Sequence, residues 1–367
     1  MVAATRFIFC GGGTGGHLFP GIAIALAIRK KAPESAILFV GTRRGLEEAV
    51  LPRYGFDFHP IRSAGFKNLN LKKKLKALAI LPLGVWEGLK ILRTFQPQAV
   101  IGLGGYSALP VMIAAIIRRV RRAIQEQNAV PGLTNRLLAP FAHRIFLSFE
   151  TSAAHFPRER TLLTGNPIRE GLCDGRVTTP SAKVQHLLVL GGSLGAHFIN
   201  RLCMACLPPL LRERADLEIY LQTGRVDFPE ARDVFEAFRP RARVSAFIED
   251  MASAYRWADL LIARAGATTL SEIAACGIPA ILIPFPHAAN DHQTENARFF
   301  ALRGGAILLP EKEIREDRFV KLLTGLLENP AKVHEMAKNM KALGRPEAAG
   351  VIADDLLSLV RPGGGVV

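Results

Sequence analysis

The sequence predicts an α/β protein that contains two doubly wound parallel sheets. Short apolar segments alternate with segments of helical spacing along most of the chain, which is the pattern of repeated βαβ units. That pattern starts near residue 6 and starts again near residue 186, each time with an apolar segment that runs directly into glycines. A length of 367 residues is also too great for one ordinary core. We therefore expect two Rossmann-like domains that face a central cleft.

Three regions are expected along the chain. Residues 1–163 form the amino-terminal domain, residues 164–345 form the carboxy-terminal domain, and residues 346–367 form a C-terminal helix and a disordered tail. The stretch 164–183 is rich in Gly, Pro, Asp and Thr, so we interpret it as a linker. Disorder is expected over the last residues, Arg361 to Val367.

The first domain opens with a strand. Arg6 to Cys10 is short, apolar and aromatic and stops at Gly11, which is typical of a buried parallel strand. Helices are expected from Pro20 to Lys31 and from Ala108 to Ile117. Further strands are expected over residues 36–40, 99–102 and 144–148. This alternation predicts a right-handed βαβ sheet with helices on both faces.

The second domain repeats this order. Residues 186–190 form an apolar strand that ends in glycines, and a helix follows. Further strands are expected over residues 218–222, 244–247, 260–263 and 280–284. The repeat predicts a second sheet of the same kind.

Composition and charge narrow the classes of function. Apolar residues make up 49% of the chain, which excludes global disorder. The formal net charge of +15 indicates a polyanionic partner, such as a phosphorylated substrate, an anionic membrane surface or nucleic acid. No recognition module for nucleic acid is visible, so nucleic acid is the least favoured of these. No secretory signal and no stretch of about 18 apolar residues is present, so nothing is expected to span a bilayer.

The five cysteines are scattered along the chain, and we expect them to form no disulfide framework, as in a reducing cytoplasm. Cys203 and Cys206 have the spacing of a redox motif. They lie inside an apolar helical stretch rather than at a turn, so we interpret them as core residues.

Three glycine turns each follow a predicted strand: Gly11 to His17, Gly102 to Ser107, and Gly191 to Gly195. Such turns let backbone amides at a helix N-terminus approach a phosphate group. Three turns at equivalent strand ends suggest several phosphate groups, as in a nucleotide-sugar donor and a pyrophosphate-linked acceptor.

The first turn also satisfies G-x-G-x-x-G through Gly11, Gly13 and Gly16, which is the dinucleotide fingerprint. In that interpretation Arg43 or Arg44 would hold the 2′-phosphate of NADP. An NADP-dependent oxidoreductase therefore stays open as an alternative.

The carboxy-terminal domain carries the motif that is most specific to a family. The segment from Arg264 to Glu272 opens a helix after a strand, and residues 275–279, 283–286 and 291–296 follow it. This order resembles the donor-binding region of the GT-B glycosyltransferases, and within them the UDP-N-acetylglucosamine:lipid I N-acetylglucosaminyltransferases. Residues 12–17, 104–107, 126–128, 133–135, 165–169 and 191–196 match the same family in the same order. The resemblance runs from residue 6 to about residue 345.

The resemblance implies an activity. N-acetylglucosamine would pass from UDP-N-acetylglucosamine to the C4 hydroxyl of MurNAc-(pentapeptide)-pyrophosphoryl-undecaprenol, called lipid I, with inversion at the anomeric carbon. The products are lipid II and UDP, in the peptidoglycan synthesis that supports cell shape and division. A GT-B enzyme with another lipid or small acceptor is a further alternative. No cofactor is implied.

The resemblance also implies partners and a location. The partners are UDP-N-acetylglucosamine, lipid I, an anionic membrane surface and other cell-wall synthesis proteins, and nucleic acid is not among them. The enzyme would act as a peripheral protein on the cytoplasmic face of the inner membrane.

Roles for individual residues follow from the resemblance. Glu272 should accept hydrogen bonds from the ribose hydroxyls, Ile248 should present backbone groups to uracil, and Gln293 should contact the sugar. The other implied donor-binding residues are Thr14, Gly15, Gly16, Asn128, Arg169, Ser193, Ala267, Thr268, Thr269, Leu270 and Ser271. The implied acceptor-binding residues are Gly13, Gly104, Gly105, Tyr106, Ser107, Glu126 and Asn135.

His17 is our candidate for the general base. It ends the first glycine turn, and the ordinary pKa of histidine, about 6.5, suits proton transfer near neutral pH. A role in binding the acceptor or capping its helix is the alternative for His17, and Glu126 is the other candidate base. His287 and His292 have no third ligand at suitable spacing, so no metal site is expected.

The segment between Asn70 and Leu92 predicts contact with a membrane surface. A cluster of lysines precedes an apolar run that contains a tryptophan, which suits an anionic interface. The residues concerned are Lys72, Lys73, Lys74, Lys76, Leu78, Ile80, Leu81, Leu83, Val85 and Trp86. Pro82 and Gly84 are expected to interrupt a single long helix. The alternative is a buried helix with a lysine-rich outer face. Arg118, Arg119, Arg121 and Arg122 are expected to add to the positive surface.

Overall fold

The computed structural model describes residues 5–43, 46–63, 71–174, 183–192 and 194–361, with only the helical backbone described for residues 71–78. It contains two compact units. The first unit comprises Met1–Arg169 and Pro346–Val367, and the second comprises Glu170–Arg345. The expected boundary after residue 163 therefore differs from the structural one, which follows Arg169 and returns the C-terminal segment to the first unit.

The first unit is built on a seven-stranded sheet whose paired strands are all parallel. Its strands are β1 (Arg6–Cys10), β2 (Ala36–Gly41), β3 (Asp57–Pro60), β4 (Ala99–Gly102), β5 (Arg121–Glu126), β6 (Arg144–Leu147) and β7 (Thr161–Leu163). Its first helices are α1 (Gly15–Lys31), α2 (Glu47–Val50), α3 (Leu71–Phe95), α4 (Ala108–Ile117) and α5 (Leu133–Leu138). The strand order is β3-β2-β1-β4-β5-β6-β7. Separate apolar clusters cover the two faces of this sheet, because alternate residues such as Phe7 and Ile8 point to opposite sides.

The second unit is built on a six-stranded parallel sheet. Its strands are β8 (His186–Leu190), β9 (Glu218–Gln222), β10 (Ala242–Ser245), β11 (Leu260–Ala263), β12 (Ala280–Leu282) and β13 (Ala306–Leu308). Its helices are α6 (His197–Glu213), α7 (Gly224–Phe235), α8 (Met251–Trp257), α9 (Ala267–Cys276), α10 (His292–Ala301), α11 (Glu316–Leu327) and α12 (Pro330–Ala342). The strand order is β10-β9-β8-β11-β12-β13. The prediction of two doubly wound parallel sheets is confirmed.

The last helix, α13 (Ala348–Val360), packs against α1 in the first unit. Ile352 and Leu356 join the apolar cluster that contains Ile28 of α1. Two ion pairs flank this contact, Lys31–Asp354 at 2.7 Å and Arg144–Asp355 at 2.9 Å. The expected helix is therefore present, while the expected disordered tail lies almost entirely outside the described residues.

The expectation that Pro82 and Gly84 interrupt the helix of the membrane segment is wrong, because α3 runs unbroken from Leu71 to Phe95. Gly84 instead allows close packing: a Cβ there would lie 2.4 Å from the carbonyl oxygen of Arg62 and 3.1 Å from Pro110 of α4. Tertiary packing thus outweighs the low helix propensity of these residues. Along the described ranges, no helix is both long and apolar enough to cross a bilayer.

The expectation that the cysteines form no disulfide is wrong for one pair. Cys173 and Cys276 are bonded, with a Cα–Cα distance of 5.0 Å. The turn before the second sheet brings Cys173 to the end of α9, where Cys276 lies. Cys203 and Cys206 are buried in α6, as expected, and burial raises the pKa of the Cys206 thiol to about 11. A thiol with so high a pKa is not a reactive nucleophile at neutral pH.

Candidate active site

In each unit the strand order reverses beside the strand that opens the unit. In the first sheet, β2 and β3 lie on one side of β1, and β4 to β7 lie on its other side. In the second sheet, β9 and β10 lie on one side of β8, and β11 to β13 lie on its other side. Ligands of open parallel sheets bind at the carboxyl ends of the strands at such a reversal. The first two glycine turns follow β1 and β4, and the third turn and the Arg264–Glu272 segment follow β8 and β11.

The first two glycine turns pack against each other in the first unit. Gly11 has φ +122°, and a Cβ on it would lie 2.4 Å from the carbonyl oxygen of Gly104. Gly104 has φ +89°, and a Cβ there would lie 3.2 Å from the ring of His17. Only glycine meets both the backbone conformation and the space at these positions. This packing places the imidazole of His17 directly against the second turn.

His17 is the third residue of α1 and is half-buried. Its Nδ1 lies 2.9 Å from Oε1 of Gln127, which follows the end of β5. Gln127 is buried and was not among the residues that the sequence singled out. The only signal for it is its position inside the matched segment 126–128, between two residues that were selected.

Glu126 lies at the end of β5 and is 1% exposed. Its Oε1 accepts a hydrogen bond from the amide of Asn128 at 3.0 Å, and its Oε2 accepts from the amide of Gly132 at 3.1 Å and from Nδ2 of Asn135 at 2.8 Å. A carboxylate that is buried and engaged at both oxygens holds the loop between β5 and α5. This arrangement favours His17 over Glu126 as the general base.

A second buried carboxylate, which sequence reasoning missed, lies beneath the first turn. Glu47 begins α2, and its Oε1 accepts a hydrogen bond from the amide of Gly13 at 2.7 Å. The Gly13 amide is therefore engaged within the protein, so acceptor binding at Gly13 would have to use its backbone carbonyl. Nothing in the local sequence distinguishes Glu47 from the neighbouring Glu48, which is exposed.

The other residues expected to bind ligands in the first unit surround these turns. Thr14 is the N-cap of α1 and makes no capping hydrogen bond with its side chain, and Gly15 and Gly16 open the helix. Gly105 and Tyr106 continue the second turn, and Ser107 is buried at the start of α4. Arg169 belongs to this unit rather than to the second, and its guanidinium lies 5.6 Å from the ring of Phe19 on α1.

In the second unit, α9 begins directly after the loop that follows β11. Gly266 is its N-cap and supplies no side-chain capping bond. The amides of the first turn, Ala267 to Thr269, lie at the positive end of the helix dipole, which suits binding of a diphosphate. The amide of Leu270 already donates to the carbonyl of Gly266 at 3.0 Å, and the hydroxyl of Ser271 donates to the carbonyl of Ala267 at 2.9 Å. The diphosphate contact stays a prediction, and these two hydrogen bonds restrict it to the first three residues of the helix.

Glu272 lies one turn further along α9 and is 8% exposed. The hydroxyl of Tyr255, in α8, donates to its Oε2 at 2.8 Å. Tyr255 is fully buried, so its ring fixes the position of the hydroxyl and, through it, the carboxylate. Sequence reasoning missed Tyr255, because no spacing links residues from two different helices.

Three further donor-binding residues were expected in this unit. Gln293 is in the first turn of α10, and its Oε1 accepts from the amide of Phe285 at 3.0 Å. Ile248 is buried in the segment that follows β10. Ser193 lies outside the described residues.

Arg264 directly follows β11 and helps to fix this edge of the sheet. Its guanidinium donates to the carbonyls of Ile283 and Pro284 at 3.1 and 3.0 Å, and forms an ion pair with Glu311 at 2.5 Å.

Comparison with known proteins identifies the family. Residues 7–147 match the glycosyltransferase family 28 N-terminal domain, and residues 186–352 match the glycosyltransferase family 28 C-terminal domain. The chain belongs to glycosyltransferase family 28.

Individual relatives of this family 28 glycosyltransferase resemble it over nearly their full length. A UDP-N-acetylglucosamine--N-acetylmuramyl-(pentapeptide) pyrophosphoryl-undecaprenol N-acetylglucosamine transferase from Geobacter metallireducens is 42% identical over 97% of this chain and 99% of its own. The protein of the same name from Syntrophotalea carbinolica is 45% identical over 94% of this chain and 96% of its own. The crystal structure of Acinetobacter baumannii MurG matches with a TM-score of 0.77 at 29% identity, covering 96% of this chain and 99% of that one.

The third glycine turn of this glycosyltransferase lies beside a polar cluster around the buried carboxylate of Asp227. Asp227, in the first turn of α7, accepts hydrogen bonds from His197 Nδ1 at 2.9 Å and from Asn200 Nδ2 at 2.6 Å. Gly195 of the turn packs so tightly against Thr223 that a Cβ would lie 1.9 Å from its carbonyl oxygen. Burial by itself would raise the pKa of the Asp227 carboxyl, but the hydrogen bonds from Asn200 and His197 outweigh it and hold the pKa below its ordinary value.

This pKa predicts a pH-dependent loss of stability. Because the folded pKa of Asp227 is depressed, its ionised form stabilises the fold above the ordinary carboxyl pKa, and the stabilisation is lost as the pH falls through the folded value. Asp227→Asn should lower the free energy of unfolding at pH 7 by about 1–3 kcal/mol. The difference from the wild type should shrink when thermal unfolding is repeated below about pH 4. A difference that is the same at both pH values would show that ionisation of Asp227 is not the cause.

Proposed function

We propose that this protein transfers N-acetylglucosamine from UDP-N-acetylglucosamine to the C4 hydroxyl of lipid I, giving lipid II and UDP. The observation that carries the proposal is the placement of two sets of groups at the strand-order reversals of two sheets: His17 with two glycine turns in the first unit, and the N-terminus of α9 with Glu272 in the second. The identity to relatives that are named for this reaction supports the choice of substrates.

The chemistry follows from these groups. The acceptor hydroxyl oxygen attacks C1 of the donor sugar while the bond from C1 to the diphosphate oxygen breaks, and the electron pair leaves with UDP. His17 takes the proton from the attacking hydroxyl. The amides that open α9 stabilise the negative charge on the leaving diphosphate, and Glu272 accepts hydrogen bonds from the ribose hydroxyls. Inversion at C1 follows because attack and departure occur on opposite faces.

The test is a transfer assay with labelled UDP-N-acetylglucosamine and a short-chain lipid I analogue. Formation of the disaccharide product with release of UDP is expected. Thermal stability should also rise with UDP-N-acetylglucosamine and not with NADP, since a ligand at 100 times its Kd adds about 2.7 kcal/mol. Transfer to other acceptors but not to lipid I would support another glycosyltransferase activity, and stabilisation by NADP alone would support an oxidoreductase.

We further propose that α3 docks the enzyme on the cytoplasmic face of the inner membrane. Leu83 and Trp86 are 48% and 63% exposed on this helix, whereas Leu92 is buried against the sheet. The lysines from Lys72 to Lys76 stand in the first turns of the same helix. A tryptophan and basic residues on one helix suit an anionic interface, and a lipid-linked acceptor requires the enzyme to work near one.

Arg122 is one of the four arginines that were expected to add to the positive membrane-binding surface, but its guanidinium is held elsewhere. The guanidinium of Arg122 donates to the carbonyls of Phe141 at 2.8 Å and Ala115 at 3.2 Å, so it is held inside the first unit. Arg118 and Arg119 are exposed at the end of α4.

Replacement of Leu83 and Trp86 by Ser should weaken binding to anionic vesicles by about 10-fold or more, because both side chains lose apolar burial. Added salt should not mimic this change, whereas it should mimic replacement of Lys72, Lys73, Lys74 and Lys76 by Glu. Vesicle sedimentation measures both effects. Leu302→Ser is the matched control, since Leu302 is an exposed leucine of the second unit, 77% exposed. If the Leu83 and Trp86 variant binds vesicles like the wild type, α3 does not dock the enzyme.

A further inference from the structure

The imidazole of His17 is connected to a chain of buried amides in the first unit. Gln127, Gln125 and Asn166 are each at most 2% exposed. Gln125 Nε2 donates to Oδ1 of Asn166 at 3.0 Å, and Gln127 Nε2 donates to the side-chain oxygen of Gln125. Gln127 Oε1 lies 2.9 Å from Nδ1 of His17. This series of hydrogen bonds therefore connects the Gly165–Arg169 segment, through Asn166, to the candidate base.

The orientation of the Gln127 amide is fixed by its neighbours. One end of this amide lies 2.8 Å from the carbonyl oxygen of Leu103 and 3.4 Å from that of Gln125. A backbone carbonyl can only accept a hydrogen bond, so this end must be the NH₂ group. The other end, which faces His17, is then the oxygen. An exchange of the two ends would place an oxygen against two carbonyl oxygens.

An amide oxygen can only accept, so the nitrogen of His17 that faces it must carry a proton. Neutral imidazole has one N–H, and a proton on Nδ1 leaves the lone pair on Nε2. We infer that Gln127 is a positioning residue that holds neutral His17 in the Nδ1–H tautomer, so that Nε2 is the atom that takes the proton from the acceptor. This inference rests on the proposed function for the role of Nε2, and on the contacts above for the tautomer.

The second glycine turn supports the same arrangement. Leu103, whose carbonyl orients Gln127, directly precedes Gly104, against which the His17 ring lies. The turn thus fixes both the amide and the imidazole. Rotation of the ring by 180° would turn a carbon toward the Gln127 oxygen and lose the hydrogen bond.

The tautomer can be measured without any assay of activity. ¹⁵N spectra of the protein labelled at its nine histidines distinguish a protonated from an unprotonated ring nitrogen, and His17→Ala identifies the signals. In the wild type above the pKa of the imidazole, we expect Nδ1 protonated and Nε2 unprotonated. The opposite tautomer in the wild type would overturn the inference, whatever the substrates of the enzyme prove to be.

Variants then link the tautomer to the reaction. Gln127→Met removes the acceptor, so the spectrum should show a mixture of tautomers, and kcat should fall by about 10- to 100-fold, a part of what a general base contributes. The donor Kd should stay the same. Gln127→Glu keeps an oxygen facing Nδ1, and in its protonated form the other oxygen can donate to the carbonyl of Leu103 as the amide NH₂ does. This variant should therefore restore the Nδ1–H tautomer and part of kcat.

A matched control separates this role from simple loss of a buried hydrogen bond. Ser152 is fully buried in the same unit, and its hydroxyl donates to the carbonyl of Phe149 at 2.7 Å, away from the amide chain. Ser152→Ala should leave the His17 spectrum and kcat unchanged. If Gln127→Met keeps the wild-type tautomer, Gln127 does not hold it. A wild-type enzyme with the expected tautomer but no transfer to lipid I would contradict the proposed function and leave the positioning role intact.

Discussion

Replacing His17 with Ala is expected to lower kcat by about 10²- to 10⁴-fold while the Kd for UDP-N-acetylglucosamine stays nearly the same. A general base contributes a factor of this size, and the groups proposed for the ribose and the leaving diphosphate, Glu272 and the amides that open α9, belong to the second unit. Steady-state transfer kinetics measure kcat, and calorimetric titration with the donor measures the Kd. Both measurements use the full-length enzyme and a water-soluble acceptor, so that membrane binding does not enter.

His155→Ala is the matched control, because His155 is an exposed histidine of the same unit that contacts neither glycine turn. It should leave kcat unchanged. If His17→Ala keeps kcat and raises only the acceptor KM, then His17 binds the acceptor and the base lies elsewhere. Glu126 would then have to be reconsidered, although its two oxygens are already engaged by amide donors.

The elements that the sequence predicted are those with a continuous apolar signal. Strands β1 and β8 are buried along nearly their whole length, and each has the apolar run that such a position requires. Strand β5 was missed because it begins with Arg121 and Arg122 and ends with Glu126. Its polar side chains are accommodated by partners distant in sequence, such as the carbonyl of Phe141 for Arg122.

The residues of the candidate site also divide into those that local sequence predicts and those that depend on distant contacts. The glycine turns and the α9 segment could be predicted, because their backbone conformation requires particular residues at neighbouring positions of the sequence. Gln127, Tyr255 and Glu47 were missed because their roles depend on contacts with other elements, namely His17, Glu272 and Gly13. The Cys173–Cys276 pair joins residues 103 positions apart, and the pairing of distant cysteines cannot be deduced from their spacing.

These contacts sharpen the prediction for the donor site. Glu272→Ala should raise the Kd for UDP-N-acetylglucosamine by about 10²-fold, because hydrogen bonds to a charged group contribute about 1.5–3 kcal/mol each and a tenfold change corresponds to 1.4 kcal/mol. The acceptor KM should change little. Titration calorimetry with the donor measures the first effect and transfer kinetics the second.

The buried hydroxyl of Tyr255 complicates the single substitution, because Glu272→Ala removes the acceptor to which it donates at 2.8 Å. The substitution is therefore best made in a Tyr255→Phe background, where no hydroxyl is left behind. Tyr255→Phe alone retains the carboxylate and should raise the donor Kd only several-fold. Glu328→Ala, at an exposed glutamate of the same unit, should leave the donor Kd unchanged. If the double variant binds the donor as tightly as Tyr255→Phe alone, Glu272 does not contact the nucleotide, and its carboxylate only joins α8 to α9.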